Sequence, residues 1–298
     1  MNSLYKPNTL TFGTDPEVFA VINEDEVISP ALLNRFSNLE FLNQDPKHPT
    51  FIENDKFIWM MDGVACELTL KNPYQDPKLM REDLNNSLDS LQERISKLSY
   101  EGNYLRVSKK PVVRIDPDKY LPYLNDELIY QGFIFGCDPD KDAIIPDYEC
   151  SILDVMEHPF RYGGGHLHFG STDKELRDYI KSNVHNFIHL LAIGVGNLCI
   201  AKSIYPKEDK DRVFHYGKPG RYRDDKKYGI EYRTPSNSWL SNLNMLEEIF
   251  ETARKCIWYL VNPKEGFEIT NELLSDTIES ITSANQELAE KTYVNFNK

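Results

Sequence analysis

The stretch Gly163-Gly164-Gly165-His166-Leu167-His168 carries the most explicit chemistry in the chain. Side chains alternate along a strand, so His166 and His168 share a face and Leu167 takes the other. Two imidazoles reached through three glycines point to a metal or phosphate site, because glycine lets a backbone or a ligand approach closely. Three other apolar stretches each bring carboxylates: Asp15 and Glu17 in GTDPEVFAV, Glu67 in VACELTL and Glu231 in GIEYR. A charge in such surroundings is costly unless it is paired or bound to a cation. Taken singly, each carboxylate could face solvent, with Glu231 paired to Arg233. Taken with the histidines, they form an oxygen-rich, partly imidazole set that suits Mg²⁺ or Mn²⁺ better than structural zinc.

A basic segment accompanies them. Residues 202–233 hold ten Lys/Arg and six Asp/Glu, a net +4 in a chain of net −13, so the remainder carries −17. Arg221, Arg223 and Arg233 fall in this island, and guanidinium pairs bidentately with phosphoryl oxygens. Carboxylates for a divalent cation, arginines and Gly-rich backbone together make a nucleoside-triphosphate site, in which metal bridges phosphate oxygens. The chain contains no GxxxxGK[ST], no GxGxxG and no GxSxG, which sets aside P-loop, dinucleotide and serine-elbow chemistry. Cys137 and Cys150 lie in no context that would lower a thiol pKa.

The acidic balance argues against nucleic acid and membrane surfaces as partners. Five Cys at 66, 137, 150, 199 and 256 form no CxxC, which fits a reducing cytoplasm. The N-terminal stretch lacks the apolar region of a secretory signal. The longest apolar run, FIHLLAIGVGNLCIA at 187–201, is short for a bilayer and reads as a buried helix.

These residues need elements to hold them. Residues 8–22 read as a strand with a Gly-Thr-Asp-Pro break, and 51–71 as two strands joined near Asp62-Gly63. Leu84, Leu88, Leu91, Ile95 and Leu98 recur at spacings of 4, 3, 4 and 3, a helical stripe with Pro77 before its start. Further strands are expected at 104–115 and 129–136, around Pro- and Asp-rich turns that include 136–147. A short strand should follow the glycines, then one helix from about 174 to 204, and a strand at 228–235. Helices at about 240–262 and 268–293 close the chain. Strand groups alternate with long helices rather than in βαβ units, which predicts an α+β fold with a largely antiparallel sheet. No repeat or linker divides it, so residues 1–298 read as one domain, with the motifs in 8–240 and terminal helices over 240–298.

The ordered motifs DPEVF, CEL, GGGHLHFG and RYRDDKKYGIEYRTPSNSWL resemble the glutamine synthetase and γ-glutamylcysteine synthetase superfamily. Within it, the chain is most similar to the carboxylate–amine ligases of tailed phages and some firmicutes. The resemblance implies a curved, mainly antiparallel sheet flanked by helices, with ATP and Mg²⁺ or Mn²⁺ on its concave face. It carries Asp15, Glu17, Glu67, His166 and Glu231 to metal ligands and His168 to the phosphate side. Arg233 is carried to the phosphates, as are Arg221 and Arg223 through a loop of variable length. The reaction implied joins a small-molecule or peptide carboxylate to an amine through an acyl phosphate, with Asp62 or Asp138 as candidate base. A host-cytoplasmic location would follow for a phage protein; assembly state is left open, since relatives range from monomers to rings. The first acidic motif is Asp-Pro-Glu rather than Glu-x-Glu, and nothing marks ammonia or glutamate as substrate. A phosphotransferase on the same sheet and a non-catalytic phage structural or binding protein are the alternatives.

Overall fold

The computed structural model describes residues 4–43, 45, 48–134, 140–144, 158–264 and 267–297. Cys137, Asp138, Cys150 and most of the expected 136–147 turn lie outside the described residues.

The fold is α+β, a strongly curled and mostly antiparallel half-barrel flanked by helices, as the sequence pattern predicts. Its first half begins with β1 (Leu10–Thr14), β2 (Glu17–Ile22) and β3 (Glu26–Val27), followed by helix α1 (Pro30–Ser37). The meander β4 (Thr50–Glu53), β5 (Phe57–Asp62) and β6 (Ala65–Leu70) comes next. Then come α2 (Pro77–Ser96), the ribbon β7 (Ser99–Tyr100) and β8 (Asn103–Tyr104), β9 (Arg106–Ser108), β10 (Val112–Arg114) and α3 (Glu127–Phe133). The second half holds β11 (Lys141–Asp142), β12 (Phe160–Tyr162) and β13 (Leu167–Ser171), then α4 (Lys174–Ser182), α5 (Val184–Leu191) and α6 (Asn197–Ala201). It ends with α7 (Pro206–His215), β14 (Arg221–Arg223), β15 (Gly229–Tyr232), α8 (Met245–Val261), α9 (Asn271–Ser283) and α10 (Gln286–Asn297).

The strands form two main sheets. One runs β1-β13-β15-β14-β11, the other β12-β10-β3-β2-β6-β5-β4, with β9 also pairing β2. The stretch read as one interrupted strand over 8–22 is two strands in different sheets. Pro16 has no N–H to continue a ladder, and its carbonyl instead accepts from Leu68 N–H at 3.0 Å. The chain therefore steps from one sheet to the other at Asp15-Pro16, and every residue of β2 is buried.

The expected hairpin stands: Asp62 pairs with Ala65 across Gly63-Val64, and Gly63 adopts φ 55°, a conformation glycine takes at little cost. The leucine stripe lies on α2, whose N-cap Asp76 accepts from Lys78 N–H. Four expectations change. Residues 129–136, read as a strand, begin within α3: Asp126 accepts from Leu128 and Ile129 N–H, and Ile129, Gly132 and Phe133 are buried at helical spacing. Residues 104–115 hold only short strands, the last residue of β8 and the whole of β9 and β10. The single helix over 174–204 is three, with a break at Asn183 and a π turn across Ala192–Gly196. The final helix is two, because Ala284 turns left-handed at φ 49°. The apolar run is mostly buried helix, as expected, but longer than the stretch read from the sequence. Val184–Ala201 is long and apolar enough to cross a membrane by length and composition, and 67% of it is buried within the protein. Phe187, Ile188, Leu191 and Leu198 are buried in the main core with Phe250 and Ile257 of α8.

Candidate functional site

Strand register lays out the second-half residues in rows. His168 lies opposite Glu231, and Glu231 lies opposite Arg223, so the three share a face across β13, β15 and β14. On the other side of β13, His168 pairs with Gly13. Glu17 and Glu67 are directly paired between β2 and β6. Like charges at directly opposed positions are unfavourable without a cation or a proton between them.

Two ligand clusters result. The candidate ligand atoms of Asp15, His168 and Glu231 lie within 4.8 Å of one another, as do those of Glu17, Asp62 and Glu67. In the first cluster, His168 Nε2 is 3.0 Å from Asp15 Oδ1, while His166 Nδ1 is 3.5 Å from Asp15 and 3.4 Å from Glu231. Asp15 Oδ1, His168 Nε2 and Glu231 Oε2 are buried yet complete no hydrogen bond among the described residues. The ionic approaches are close but not aligned for one. Three buried ligand atoms converging from three segments, met only by ionic approaches to one another and to Lys226, suit a bound cation. The second cluster is all oxygen, as Mg²⁺ prefers; the first adds imidazole, which Mn²⁺ accepts readily.

The electrostatics agree. Burial and the neighbouring Asp62 push the Glu17 carboxyl up from 4.5 to about 7, against a hydrogen bond of 2.7 Å from Gly164 N–H. Burial, Asp15 and Asp62 raise Glu67 well above the carboxylate range. Because Glu67 feels Asp15 as well as Glu17, the two clusters share one field. Burial also opposes charge on Asp15, but His168, His166 and Lys226 outweigh it and hold that carboxyl well below its usual value. Glu231 is wholly buried; burial and Asp15 favour its neutral form, yet His166, Arg233 and His168 prevail and hold it at about 2. Burial and then the Arg233 charge lower His166 to about 4, so its imidazole is neutral at pH 7, the form that ligates metal.

Several partners were not legible in the sequence. The Tyr216 hydroxyl lies 3.0 Å from His166 Nε2 and accepts from Arg233 Nη2 at 2.8 Å. A hydroxyl both donates and accepts, so it can serve either tautomer of His166. Lys226 Nζ is 2.9 Å from Asp15 Oδ2 and 3.1 Å from Glu231 Oε2. Arg212 is buried and donates to the carbonyls of Thr234 and Pro235 at 2.8 and 3.2 Å. All three lie in the basic segment, where the only signal was net charge. Their side chains converge through the turns between α7, β14 and β15, which no spacing reveals.

The arginines are more committed than their assignment to phosphate implies. Arg233 pairs with Glu231 and approaches Asp140 at 3.5 Å, while Arg221 pairs with Asp140 at 2.9 Å and Asp142 at 3.4 Å. Arg223 keeps its place in the row beside Glu231. The triple glycine makes room for protein. A Cβ on Gly164 would meet His166 Nε2 at 2.3 Å, and one on Gly165 would meet the Ser236 carbonyl at 2.0 Å. The glycines thus let the strand press onto the 234–239 segment, where Trp239 Nε1 donates to the Gly165 carbonyl at 3.0 Å.

No family model matches the chain, and no curated protein matches it.

Proposed function

We propose that the protein is an ATP- and Mg²⁺- or Mn²⁺-dependent carboxylate–amine ligase, similar to the glutamine synthetase and γ-glutamylcysteine synthetase superfamily. One observation carries the reading. Asp15, His168 and Glu231 form one candidate cation-ligand cluster and Glu17, Asp62 and Glu67 a second, from motifs up to 216 residues apart, on a curled, mostly antiparallel fold.

In this reading Asp15, His168 and Glu231 hold one cation, with His166 beside them, and Glu17, Asp62 and Glu67 hold another. Asp62 thereby shifts from candidate base to ligand. The cations would neutralise charge on the phosphates as the phosphoryl group transfers. The γ-phosphoryl of ATP passes to a substrate carboxylate; the amine attacks the acyl phosphate, phosphate leaves with the C–O bond electrons, and an amide forms. Arg233 is oriented for this by Glu231 and Tyr216, and Arg223 stands beside Glu231, so these two guanidinium groups would supply positioning. The protein needs no covalent nucleophile, in keeping with the buried Cys66, Cys199 and Cys256. The carboxylate is a small molecule or peptide, and the setting is the cytoplasm, of the host if the protein is phage-encoded.

The test is mass-spectrometric detection of products after incubating the protein with ATP, Mg²⁺ and a metabolite extract. The expected result is a new amide together with ADP and phosphate. A stable phosphorylated product formed without an amine would replace the ligase with a phosphotransferase. ATP binding with no turnover in any pool would leave a binding protein.

A further inference from the structure

Lys226 lies in the loop between β14 and β15, and its ammonium sits on the same two carboxylates that join His168 in the first cluster. Its side chain is 33% exposed, so it has a way out. The loop backbone is held separately: Lys181 Nζ donates to the carbonyls of Asp224 and Lys226, each at 2.9 Å. The ammonium can therefore leave by rotating its flexible stem while the loop stays in place. Next to it is a cavity of about 190 Å³ whose lining includes Gly13, Lys71, Asn72, His168, Lys226 and Lys227. No carboxylate is among its described lining residues. The cavity is smaller than the usual pocket for a whole drug-sized ligand. Its charge suits a phosphate chain that also touches a cation at His168.

We propose that Lys226 has two positions: counter-ion to Asp15 and Glu231 in the free protein, and ligand to a phosphate group in this cavity once a divalent cation takes those carboxylates. The inference rests on the divalent-cation reading above and adds the residue that couples cation to phosphate. A positive charge about 3 Å from both carboxylates competes directly with a metal, since opposite and like charges at that range interact strongly.

The test is calorimetric titration of the full chain with Mn²⁺, alone and with tripolyphosphate, for the wild type, Lys226→Ala and Lys226→Gln. Without tripolyphosphate, both variants should bind Mn²⁺ about tenfold more tightly, because the resident cation is gone. With Mn²⁺ present, both should bind tripolyphosphate about tenfold more weakly, because one phosphate contact is lost. Opposite signs for the two ligands are the signature, and a merely structural lysine would not produce them. If the wild type binds Mn²⁺ but the variants bind it no more tightly, or hold tripolyphosphate equally well, the two-position lysine is overturned while the metal reading stands. If no form binds Mn²⁺, the metal reading falls and takes this inference with it.

Discussion

Glu17→Gln separates the proton from the metal at the second cluster. Burial and Asp62 move the Glu17 carboxyl from 4.5 to about 7, so the folded protein holds this proton more tightly than the unfolded chain does. The stabilisation is complete below about pH 4.5 and fades as pH rises through about 7. A shift of that size corresponds to about 3 kcal/mol, at 1.36 kcal/mol per pH unit. The wild type without metal should therefore lose about that much between pH 4.5 and 8 from this group. Glutamine imitates the protonated acid, and its carbonyl can still accept from Gly164 N–H. The variant should match the wild type near pH 4.5 and exceed it by up to about 3 kcal/mol at pH 8 without metal. Saturating Mn²⁺ should narrow that gap, because at a hundred times Kd a ligand adds about 2.7 kcal/mol and the variant, having lost one anionic ligand, should gain less. Mn²⁺ affinity of the wild type should also rise with pH through about 7, since the cation must displace the proton. The measurement is urea denaturation at pH 4.5 and 8, with and without Mn²⁺. An equal stability difference at both pH values would refute the buried-proton account. Equal Mn²⁺ stabilisation of both proteins would refute Glu17 as a ligand.

Tyr216→Phe leaves His166 Nε2 and Arg233 Nη2 without the hydroxyl between them. It should cost about 1–3 kcal/mol of stability, and Mn²⁺ affinity should drop about tenfold or more as His166 loses its orienting partner. Denaturation together with an electron paramagnetic resonance titration of free Mn²⁺ checks both, and no change in either would remove Tyr216 from the site. Gly165→Ala would drive a Cβ to 2.0 Å from the Ser236 carbonyl, a backbone atom with little room to yield. A loss of about 3 kcal/mol in a urea melt is expected, and a loss within experimental scatter would show that the two segments can part.

Most of the clustered acids and imidazoles were legible as candidates because each is a charge or an imidazole set among residues that want burial. Glu67 in VACELTL and Glu231 in GIEYR are conspicuous for the cost of placing a carboxylate there. Period-2 alternation alone puts His166 and His168 on one face, and both imidazoles approach Asp15. The α2 stripe and the Asp62-Gly63 turn were equally local signals. Local signals failed where tertiary partners or caps decide. ELIYQGF has strand-like residues, yet Asp126 caps it as a helix and Gly132 lets it close on Ser29 and Ala31. The apolar periodicity of the last segment runs across Ala284 without betraying the turn there.

What the sequence determined by itself is therefore the list of acids and imidazoles, because the desolvation cost that marks them depends only on their immediate neighbours. Only the tertiary structure decided how they divide. Asp15 and Glu17, two residues apart, go to different clusters because Pro16 ends one sheet and the next strand begins the other. Likewise Lys226, one lysine among many in the sequence, meets Asp15 across 211 residues because β14 and β15 return it to the corner where β1 ends. Long-range pairing of this kind leaves no mark on local spacing, so chain folding alone selects which cation the carboxylates hold.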